Sequence, residues 1–405
     1  MKKFQNRSVL NYIIIYISGG IATLSLPPFS ILPLTFALGF GIYLISLTPS
    51  LIKTFFAAWV LGFGWFSFGL YWIGSAFIVA DTYTIYLMPI AIVLLPCLLA
   101  VFWGVACVFA KLLNKYKKFS IISIIVWLSF FEYLRAILFT GFPWLMPSMI
   151  FSSNEYLIQI FSFIGSFSTN LVVLTFSIVP FILLSSLKGK YILSTLLLIP
   201  ISILIFSGTF RFNNKDLLKI NNQLITIVQP NIEQKNKWNL KQRDKHLDKL
   251  VMLSNNDKDN FIHTNKIIIW PETSFEGSIP IEMKLLSDLS KKVLKSPKSI
   301  LIVGLLRNDE SRIFNSLVFV NSKGQIIHKY DKIKLVPFGE YIPFRKYLRL
   351  IHDFLPPKDF SEGTLKSNPF LDGFGEIITM ICYEILFVDK IIDKMSKKSN
   401  LLINI

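Results

Sequence analysis

Hydrophobic positions divide the chain into two halves with different patterns. Up to about Phe206 charged residues are sparse, and apolar runs of about 20 residues follow one another. From Arg211 onwards charged residues are dense, and short apolar runs alternate with polar segments. The first pattern predicts an α-helical transmembrane bundle over 1–210, and the second predicts a separate α/β domain over 211–405. Seven spans are predicted, at residues 8–25, 31–48, 54–76, 85–111, 119–140, 159–185 and 190–207.

The composition fits a membrane protein. The 405 residues are 53% hydrophobic, and the mean hydropathy is +0.54, which is high for a soluble protein of this size. The net charge of +17 does not indicate a nucleic-acid partner, because the lysines lie in short membrane loops and on the second half. Attraction to the anionic surface of a phospholipid bilayer explains this positive charge better.

The charges of the loops predict the orientation in the membrane. Positive residues lie before the first span and in every second loop after it, whereas the loops around Pro27, Asp81 and Ser152 contain no Lys or Arg. Positive loops stay in the cytoplasm. We therefore predict a cytoplasmic N-terminus and, after seven spans, a periplasmic second half. The positive residues are Lys2, Lys3, Arg7, Lys53, Lys111, Lys115, Lys117, Lys118, Lys188 and Lys190.

Strand and helix patterns alternate after residue 222. The segments 314–320 and 325–330 flank a turn at 321–324 and predict a β-hairpin. This order predicts an α/β fold whose sheet has an antiparallel part. The remaining strands are predicted at 224–228, 266–270, 299–306, 377–381 and 400–405, and the helices at 239–253 and 280–294.

Cys382 follows a buried strand at a predicted strand–turn–helix corner. Such a corner presents nucleophiles in hydrolytic α/β folds, and a helix N-terminus there would favour the thiolate. The alternative is that Cys382 is a small buried hydrophobic residue. Cys97 and Cys107 lie in apolar segments and are predicted to pack between helices, so Cys382 has no disulfide partner in its own half.

A carboxylate and an ammonium group lie in two other elements of this half. Glu272 directly follows the strand 266–270, and Lys332 follows the hairpin. Acyl transfer needs a base for the thiol and a cation for the oxyanion. Glu276 and Lys334 are the nearby alternatives. The four histidines lie in no recognisable motif, no His/Cys/carboxylate group has metal-ligand spacing, and the glycines form no phosphate-binding loop.

Two features of the first half are unusual for transmembrane helices. Glu132 and Arg135 lie three residues apart on one face of the fifth span, where charges are costly and usually paired. They predict either a structural ion pair or a polar floor beneath a lipid headgroup. The run 140–144 follows and ends in Trp144, which also fits an interfacial aromatic anchor.

Three motifs resemble the Glu/Lys/Cys signature of the nitrilase, or carbon–nitrogen hydrolase, superfamily. They are Trp-Pro-Glu at 270–272, Tyr-x-Lys-x-x-Leu-Val-Pro-Phe-Gly-Glu at 330–340, and Cys-Tyr-Glu at 382–384. With the bundle, the chain resembles the bacterial apolipoprotein N-acyltransferase family. Glu132-x-x-Arg135 with 141–144, and Gln229-Pro-Asn231 with Trp238, add to this resemblance.

The resemblance implies an αββα nitrilase-like domain and a role for each motif residue. Glu272 is the general base, Lys332 stabilises the oxyanion, and Cys382 carries an acyl thioester. Glu340 is a second carboxylate, Tyr383 and Glu384 shape the pocket beside Cys382, and Trp238 lies on a mobile substrate loop. Glu384 and Trp238 could equally be structural. The spacing to Glu340 favours Lys332 over Lys334, and the position after Trp-Pro favours Glu272 over Glu276.

The resemblance also implies substrates and location. A phospholipid donates a fatty acyl chain to the α-amino group of a diacylglyceryl-cysteine on an apolipoprotein, with no cofactor or metal, in a monomeric multi-pass protein of the bacterial inner membrane. Family members continue beyond the strand 400–405 with an Asn-Asp-x-Trp-Phe stretch and an eighth span, so we expect the C-terminal part to be missing here. A membrane-tethered amidase and a non-catalytic lipid-binding bundle are the alternative functions.

Overall fold

The computed structural model describes residues 8–79, 83–113, 120–185, 189–213, 223–255, 265–343, 345–347, 358–364, 367–387, 393 and 399–405. The chain divides into two compact units, Met1–Leu217 and Leu218–Ile405. Several loop residues used to predict the orientation lie outside the described residues, namely Lys2, Lys3, Arg7, Asp81, Lys115, Lys117, Lys118 and Lys188.

The first unit is a bundle of apolar helices. Each of the seven predicted spans overlaps an apolar helix. Among the described residues, four helical segments are long and apolar enough to cross a membrane: Leu51–Ile78, Ile85–Leu112, Leu157–Leu184 and Lys190–Asn213. Val9–Ser25 and Leu32–Ser46 are shorter apolar helices, so the number of spans stays a prediction. The helices are α1 (Ser8–Ala22), α2 (Thr35–Ser46), α3 (Leu51–Leu70), α4 (Gly74–Val79), α5 (Met88–Leu112), α6 (Ser120–Ile137), α7 (Ile160–Leu184) and α8 (Lys190–Asn213).

Glycines allow α1 and α3 to approach closely. A Cβ atom on Gly19 would lie 2.2 Å from the carbonyl oxygen of Leu61, and one on Gly64 would lie 2.1 Å from the carbonyl oxygen of Tyr16. Small residues at such crossings bring helix backbones together, which is how apolar helices gain packing energy within lipid.

The second unit contains two β-sheets. The larger has the order β1-β2-β4-β5-β6, with β3 paired to β4, and the smaller has the order β7-β8-β9. The pairs β1–β2, β2–β4 and β8–β9 are parallel, and the predicted hairpin is the antiparallel pair β5–β6. The strands are β1 (Gln223–Ile227), β2 (Asn265–Ile269), β3 (Phe275–Ile279), β4 (Ile300–Asp309), β5 (Arg312–Asn321), β6 (Ile326–Asp331), β7 (Phe370–Leu371), β8 (Gly375–Met380) and β9 (Ser399–Asn404).

Alternation along the central strands produces two hydrophobic clusters. Ile268 and Val303 pack with apolar residues of α9 (Arg243–Ser254) and α10 (Met283–Val293). Their neighbours Ile267 and Ile302 point to the other face and pack with Ile377 of the smaller sheet. The larger sheet is thus covered by helices on one face and by the second sheet on the other, which confirms the predicted nitrilase-like α/β fold class.

Candidate active site

Cys382 lies on a tight turn directly after β8. Its φ angle is 53°, a left-handed conformation that a residue with a side chain seldom adopts and that recurs at functional sites. Its backbone N–H donates to the carbonyl oxygen of Ile405 at 2.7 Å, and the Asn404 side chain donates to its carbonyl oxygen at 3.1 Å. Strand β9 therefore holds the turn. Cys382 is exposed, unlike buried Cys107, so it is not the small buried hydrophobic residue of the alternative interpretation.

The electrostatic environment keeps this thiol protonated at rest. Desolvation in the site raises the pKa of Cys382, and the charge of Glu272, which also hydrogen-bonds with the thiol, raises it further. Lys332 and the backbone N–H of Tyr383 lower the pKa by less. The predicted effect of N–H groups at this turn is present, since the N–H of Tyr383 lowers the pKa, but Cys382–Leu386 is only a five-residue 3-10 helix and desolvation outweighs the effect. The thiol therefore needs a base.

Glu272 supplies a carboxylate next to the thiol. Trp270, fully buried, ends β2 by donating from its backbone N–H to Ile302, and Pro271 follows. A Cβ atom on Gly304 of β4 would lie 2.7 Å from the Glu272 Cα atom. Only a glycine at position 304 therefore allows the Glu272 turn to lie against β4, so the close approach of two backbones places this carboxylate.

Lys332 is the lysine that enters the site. Its side chain is 1% exposed, and its Nζ lies 2.9 Å from Glu340 Oε1 and 3.7 Å from Glu272 Oε1. Lys334 instead places its Nζ 4.8 Å from the centre of the Phe387 ring. The side chains of Lys332 and Lys334 thus lie in different surroundings, and, of the two, that of Lys332 lies beside the carboxylates Glu272 and Glu340.

Glu276, the alternative base, is engaged elsewhere. Its Oε1 lies 2.6 Å from Nδ1 of His246 on α9, and the Glu276 side chain is 3% exposed. Of the two nearby carboxylates, Glu272 is the one with a hydrogen bond to the Cys382 thiol.

Sequence reasoning missed Asn315, which contacts both carboxylates. Its Nδ2 donates to Glu272 Oε1 at 2.7 Å and to Glu340 Oε1 at 2.9 Å. The only sequence signal is that Asn315 and Ser316 interrupt an otherwise apolar buried strand, Phe314–Val320. Unpaired buried amides are costly, so a polar residue in such a strand indicates specific partners.

Glu384 ties the lysine segment to the cysteine turn. Its buried carboxylate accepts hydrogen bonds from the Tyr330 hydroxyl, the N–H groups of Ile333 and Lys334, and the N–H of Ile381, at 2.8–2.9 Å. These contacts support the structural interpretation of Glu384. The same carboxylate, after the larger effect of burial, raises the pKa of the Tyr330 hydroxyl. Tyr383 packs edge-on against Phe387, with ring centroids 4.9 Å apart.

The segment that carries Trp238 is linked to Glu272 by its neighbour Lys237. Lys237 Nζ donates to the backbone carbonyl of Glu272 at 3.0 Å, and burial lowers the pKa of this lysine. Trp238 itself is 50% exposed. Lys237 fixes the chain next to this indole, and the role of Trp238 on a mobile substrate loop stays a prediction.

In the bundle, Glu132 and Arg135 form a fully buried ion pair. The Glu132 Oε2–Arg135 Nη2 distance is 2.5 Å, and both side chains are inaccessible. The Trp103 indole donates to Glu132, and Arg135 donates to the carbonyl of Phe142. The pair therefore fixes the turn after α6. This contact favours the structural interpretation over a floor for lipid headgroups. Trp144, in the turn that follows α6, is 37% exposed. Its ring is tilted against that of Trp72, with ring centroids 5.5 Å apart.

Removal of one partner of this pair should destabilise the bundle strongly. We expect Arg135→Leu to lower the free energy of unfolding by about 3–5 kcal/mol, because Glu132 would be left as an unpaired buried charge. The double variant Glu132→Gln/Arg135→Leu should recover much of that loss. Thermal unfolding in detergent measures both. Equal loss in the single and double variants would contradict an ion-pair role.

The described residues include no group of three or more side chains that could hold a metal ion. The groups that converge are a thiol, two carboxylates and an ammonium. This set can carry covalent acyl transfer through a thioester, with a carboxylate as base and a cation at the developing oxyanion.

Family models match both units of the chain. The model described as carbon–nitrogen hydrolase matches residues 224–405, and the model of the apolipoprotein N-acyltransferase N-terminal domain matches residues 18–179. The fold and the Glu–Lys–Cys site define a protein of the carbon–nitrogen hydrolase class. The apolar helices add a membrane domain to that class.

Curated relatives extend over nearly the whole chain. An apolipoprotein N-acyltransferase of Rhodopseudomonas palustris is 28% identical over 402 residues, which cover 94% of this chain and 74% of that protein. The enzyme of the same name from Rhizobium rhizogenes is 29% identical over 92% of this chain and 73% of its own length. A solved carbon–nitrogen hydrolase from Helicobacter pylori G27 is 20% identical, with a TM-score of 0.29, over 40% of this chain and 54% of its own.

The two family models and the curated relatives together support an acyltransferase of the apolipoprotein N-acyltransferase type, with a nitrilase-like domain, in the inner membrane.

Proposed function

We propose that this protein transfers a fatty acyl chain from a phospholipid to the α-amino group of an N-terminal diacylglyceryl-cysteine on an apolipoprotein. One observation carries the proposal: the thiol of Cys382 hydrogen-bonds with Glu272, beside the buried Lys332, in a chain whose first half matches the N-acyltransferase membrane domain. A nitrilase-like site alone would fit hydrolysis equally well, and the membrane domain supports a lipid donor.

The first half-reaction forms an acyl-enzyme. Glu272 takes the proton of the Cys382 thiol, and the sulfur attacks the ester carbonyl of the phospholipid. Lys332 stabilises the oxyanion of the tetrahedral intermediate. The bond between the carbonyl carbon and the glycerol oxygen then breaks, and Glu272 returns the proton to that oxygen. A lysophospholipid leaves, and the acyl chain stays on Cys382 as a thioester.

The second half-reaction uses the same groups. The neutral amine of the lipoprotein cysteine attacks the thioester carbonyl, and Glu272 takes a proton from the nitrogen. The carbon–sulfur bond breaks, the Cys382 sulfur regains a proton, and an amide is released. Donor and acceptor need not be bound together, so ping-pong kinetics are expected.

The orientation follows from the loop charges. Alternating loops with and without Lys or Arg support a cytoplasmic N-terminus and a periplasmic catalytic unit. Lys53, Lys111 and Lys190 are on the cytoplasmic side in this arrangement. All the groups of the site come from one chain, so a monomer is sufficient for the reaction.

Intact-protein mass spectrometry tests the acyl-enzyme. The protein purified with native phospholipid should gain the mass of one fatty acyl chain, which neutral hydroxylamine removes and which is absent from Cys382→Ala. Cys107→Ala, which removes a buried thiol of the bundle, is the matched control and should retain the adduct. Absence of the adduct from the unaltered protein would reject the mechanism and favour a lipid-binding function.

Addition of an acceptor separates transfer from hydrolysis. A synthetic peptide with an N-terminal diacylglyceryl-cysteine should discharge the thioester and gain the acyl mass, whereas the same peptide with an acetylated α-amine should not. Discharge by water at the same rate without peptide would instead indicate the amidase alternative.

A further inference from the structure

Asn315 and Lys332 together hold the two carboxylates of the site. Asn315 Nδ2 lies 2.7 Å from Glu272 Oε1 and 2.9 Å from Glu340 Oε1. Lys332 Nζ lies 3.7 Å and 2.9 Å from the same two oxygen atoms. Two donor nitrogens and two acceptor oxygens therefore alternate around a closed ring, in which Asn315 is the neutral donor.

The orientation of the Asn315 amide is determined by this ring. Its Oδ1 is buried and has no hydrogen-bond partner among the described residues. One orphaned acceptor is costly, but two hydrogen bonds to charged acceptors, which are the stronger kind, outweigh it. A flipped amide would place Oδ1 against two carboxylate oxygens. The Asn315 side chain therefore donates from Nδ2 to Glu272 and Glu340, and its Oδ1 is left without a partner among the described residues.

The backbone of Asn315 also positions Lys332. Its carbonyl accepts the N–H of Lys332 at 2.9 Å, and its place in β5 opposite Leu306 of β4 is set by the strand register. Asn315 is 2% exposed. One residue in the middle of a sheet is thus in contact with Glu272, Glu340 and Lys332.

Charge explains why a neutral donor is needed here. Glu272 faces Lys332, Glu340 and the Cys382 thiol, and Lys237 contacts its backbone carbonyl. Two carboxylates that share one ammonium repel each other, and this repulsion would turn Glu272 away from its place beside the thiol. The amide supplies a second donor without adding a charge that would compete with Lys332 for the oxyanion.

We infer that Asn315 is a positioning residue that keeps the Glu272 carboxylate directed at Cys382. This inference rests on the proposed function, since it assigns Glu272 as the base. Asn315 acts through Glu272 and does not itself contact the reacting atoms.

The test replaces Asn315 by leucine, which has a similar shape and no donor. We expect thioester formation at neutral pH to slow by about 10- to 100-fold, below the full effect of losing a general base. Because Glu272 can then turn away from the thiol, hydroxide from solvent must remove the thiol proton, so the defect should shrink as pH rises. KM for phospholipid should stay unchanged. A uniform loss at every pH would contradict the inference.

Alkylation of Cys382 by iodoacetamide provides a readout that needs no substrate. Glu272 raises the pKa of the thiol by its charge and by its hydrogen bond. In Asn315→Leu, Glu272 can turn towards Lys332 and leave the thiol, so the pH midpoint of alkylation should fall. An unchanged midpoint would overturn the inference. If the unaltered protein forms no thioester, the proposed function fails, while this midpoint still tests Asn315.

Two further variants separate donation from packing. Asn308→Leu on β4 removes a side-chain hydrogen bond to Ser278 (3.3 Å). It should leave both profiles within about 2-fold of the unaltered protein, because changes away from a site have little effect. Asn315→Ser leaves a smaller side chain that still donates. It should be more active than Asn315→Leu, whereas a packing role predicts the reverse order. If the leucine variant does not fold, the serine variant carries both pH measurements.

Discussion

Replacement of Lys332 by methionine should reduce kcat/KM for acyl transfer by about 10²–10³, the usual effect of losing one oxyanion donor. The loss should reach both half-reactions, since each passes through a tetrahedral oxyanion. Lys332 is also the cation between Glu272 and Glu340, so its loss leaves these carboxylates facing each other. Rates of thioester formation and of its discharge by the acceptor peptide measure the two effects separately.

Lys334 is the matched control for Lys332. It lies two residues away, carries the same charge, and places its Nζ over the ring of Phe387. Lys334→Met should change kcat/KM by a few fold at most, because a cation–π contact at a partly exposed site is worth about 0.5–1 kcal/mol. Equal losses in the two variants would show that the net charge of the loop matters more than the position of one ammonium.

Glu272→Gln should slow both half-reactions by about 10²–10⁴, the range expected for a general base. The amide keeps the size of the side chain but cannot take a proton from sulfur or nitrogen. Because the environment raises the pKa of the Cys382 thiol, acylation of this variant should keep increasing well into alkaline pH, where hydroxide removes the proton instead. The unaltered enzyme should reach its plateau at lower pH.

Glu276→Gln tests whether any nearby carboxylate can serve as the base. Glu276 contacts His246 rather than the thiol within the described part of the chain, so this variant should lose stability and retain its rate per folded molecule. Its melting temperature and its rate–pH profile distinguish the two effects. A profile like that of Glu272→Gln would reassign the base.

Features that depend on neighbouring residues could be predicted from the sequence, whereas features that depend on distant residues could not. Apolar runs and alternation are local, so most helices and strands were found within a few residues of their observed ends, whereas β3 and β7 were missed. Glu272, Lys332 and Cys382 each follow a predicted strand within two residues. Because the ends of strands in a layered fold come together, their meeting could be expected.

The contacts that join distant segments could not be read from the sequence. Asn315 lies within an apolar strand, and its partners are 43 and 25 residues away. Glu384 reaches Tyr330 across 54 residues. Desolvation of the thiol likewise depends on all the elements packed around it, so the N–H groups of the local turn do not by themselves decide the direction of its pKa shift.

The pairing of β9 with the Cys382 turn also has a consequence for the order of folding. The N–H of Cys382 is satisfied by Ile405, so the nucleophile reaches its final geometry only after a segment that is synthesised later has joined β8. Loop closure of this kind delays non-local contacts. A ribosome-bound chain that has exposed Cys382 but not 399–405 would therefore hold a thiol without its working geometry, and reactivity towards lipid would arise only after β9 has joined β8.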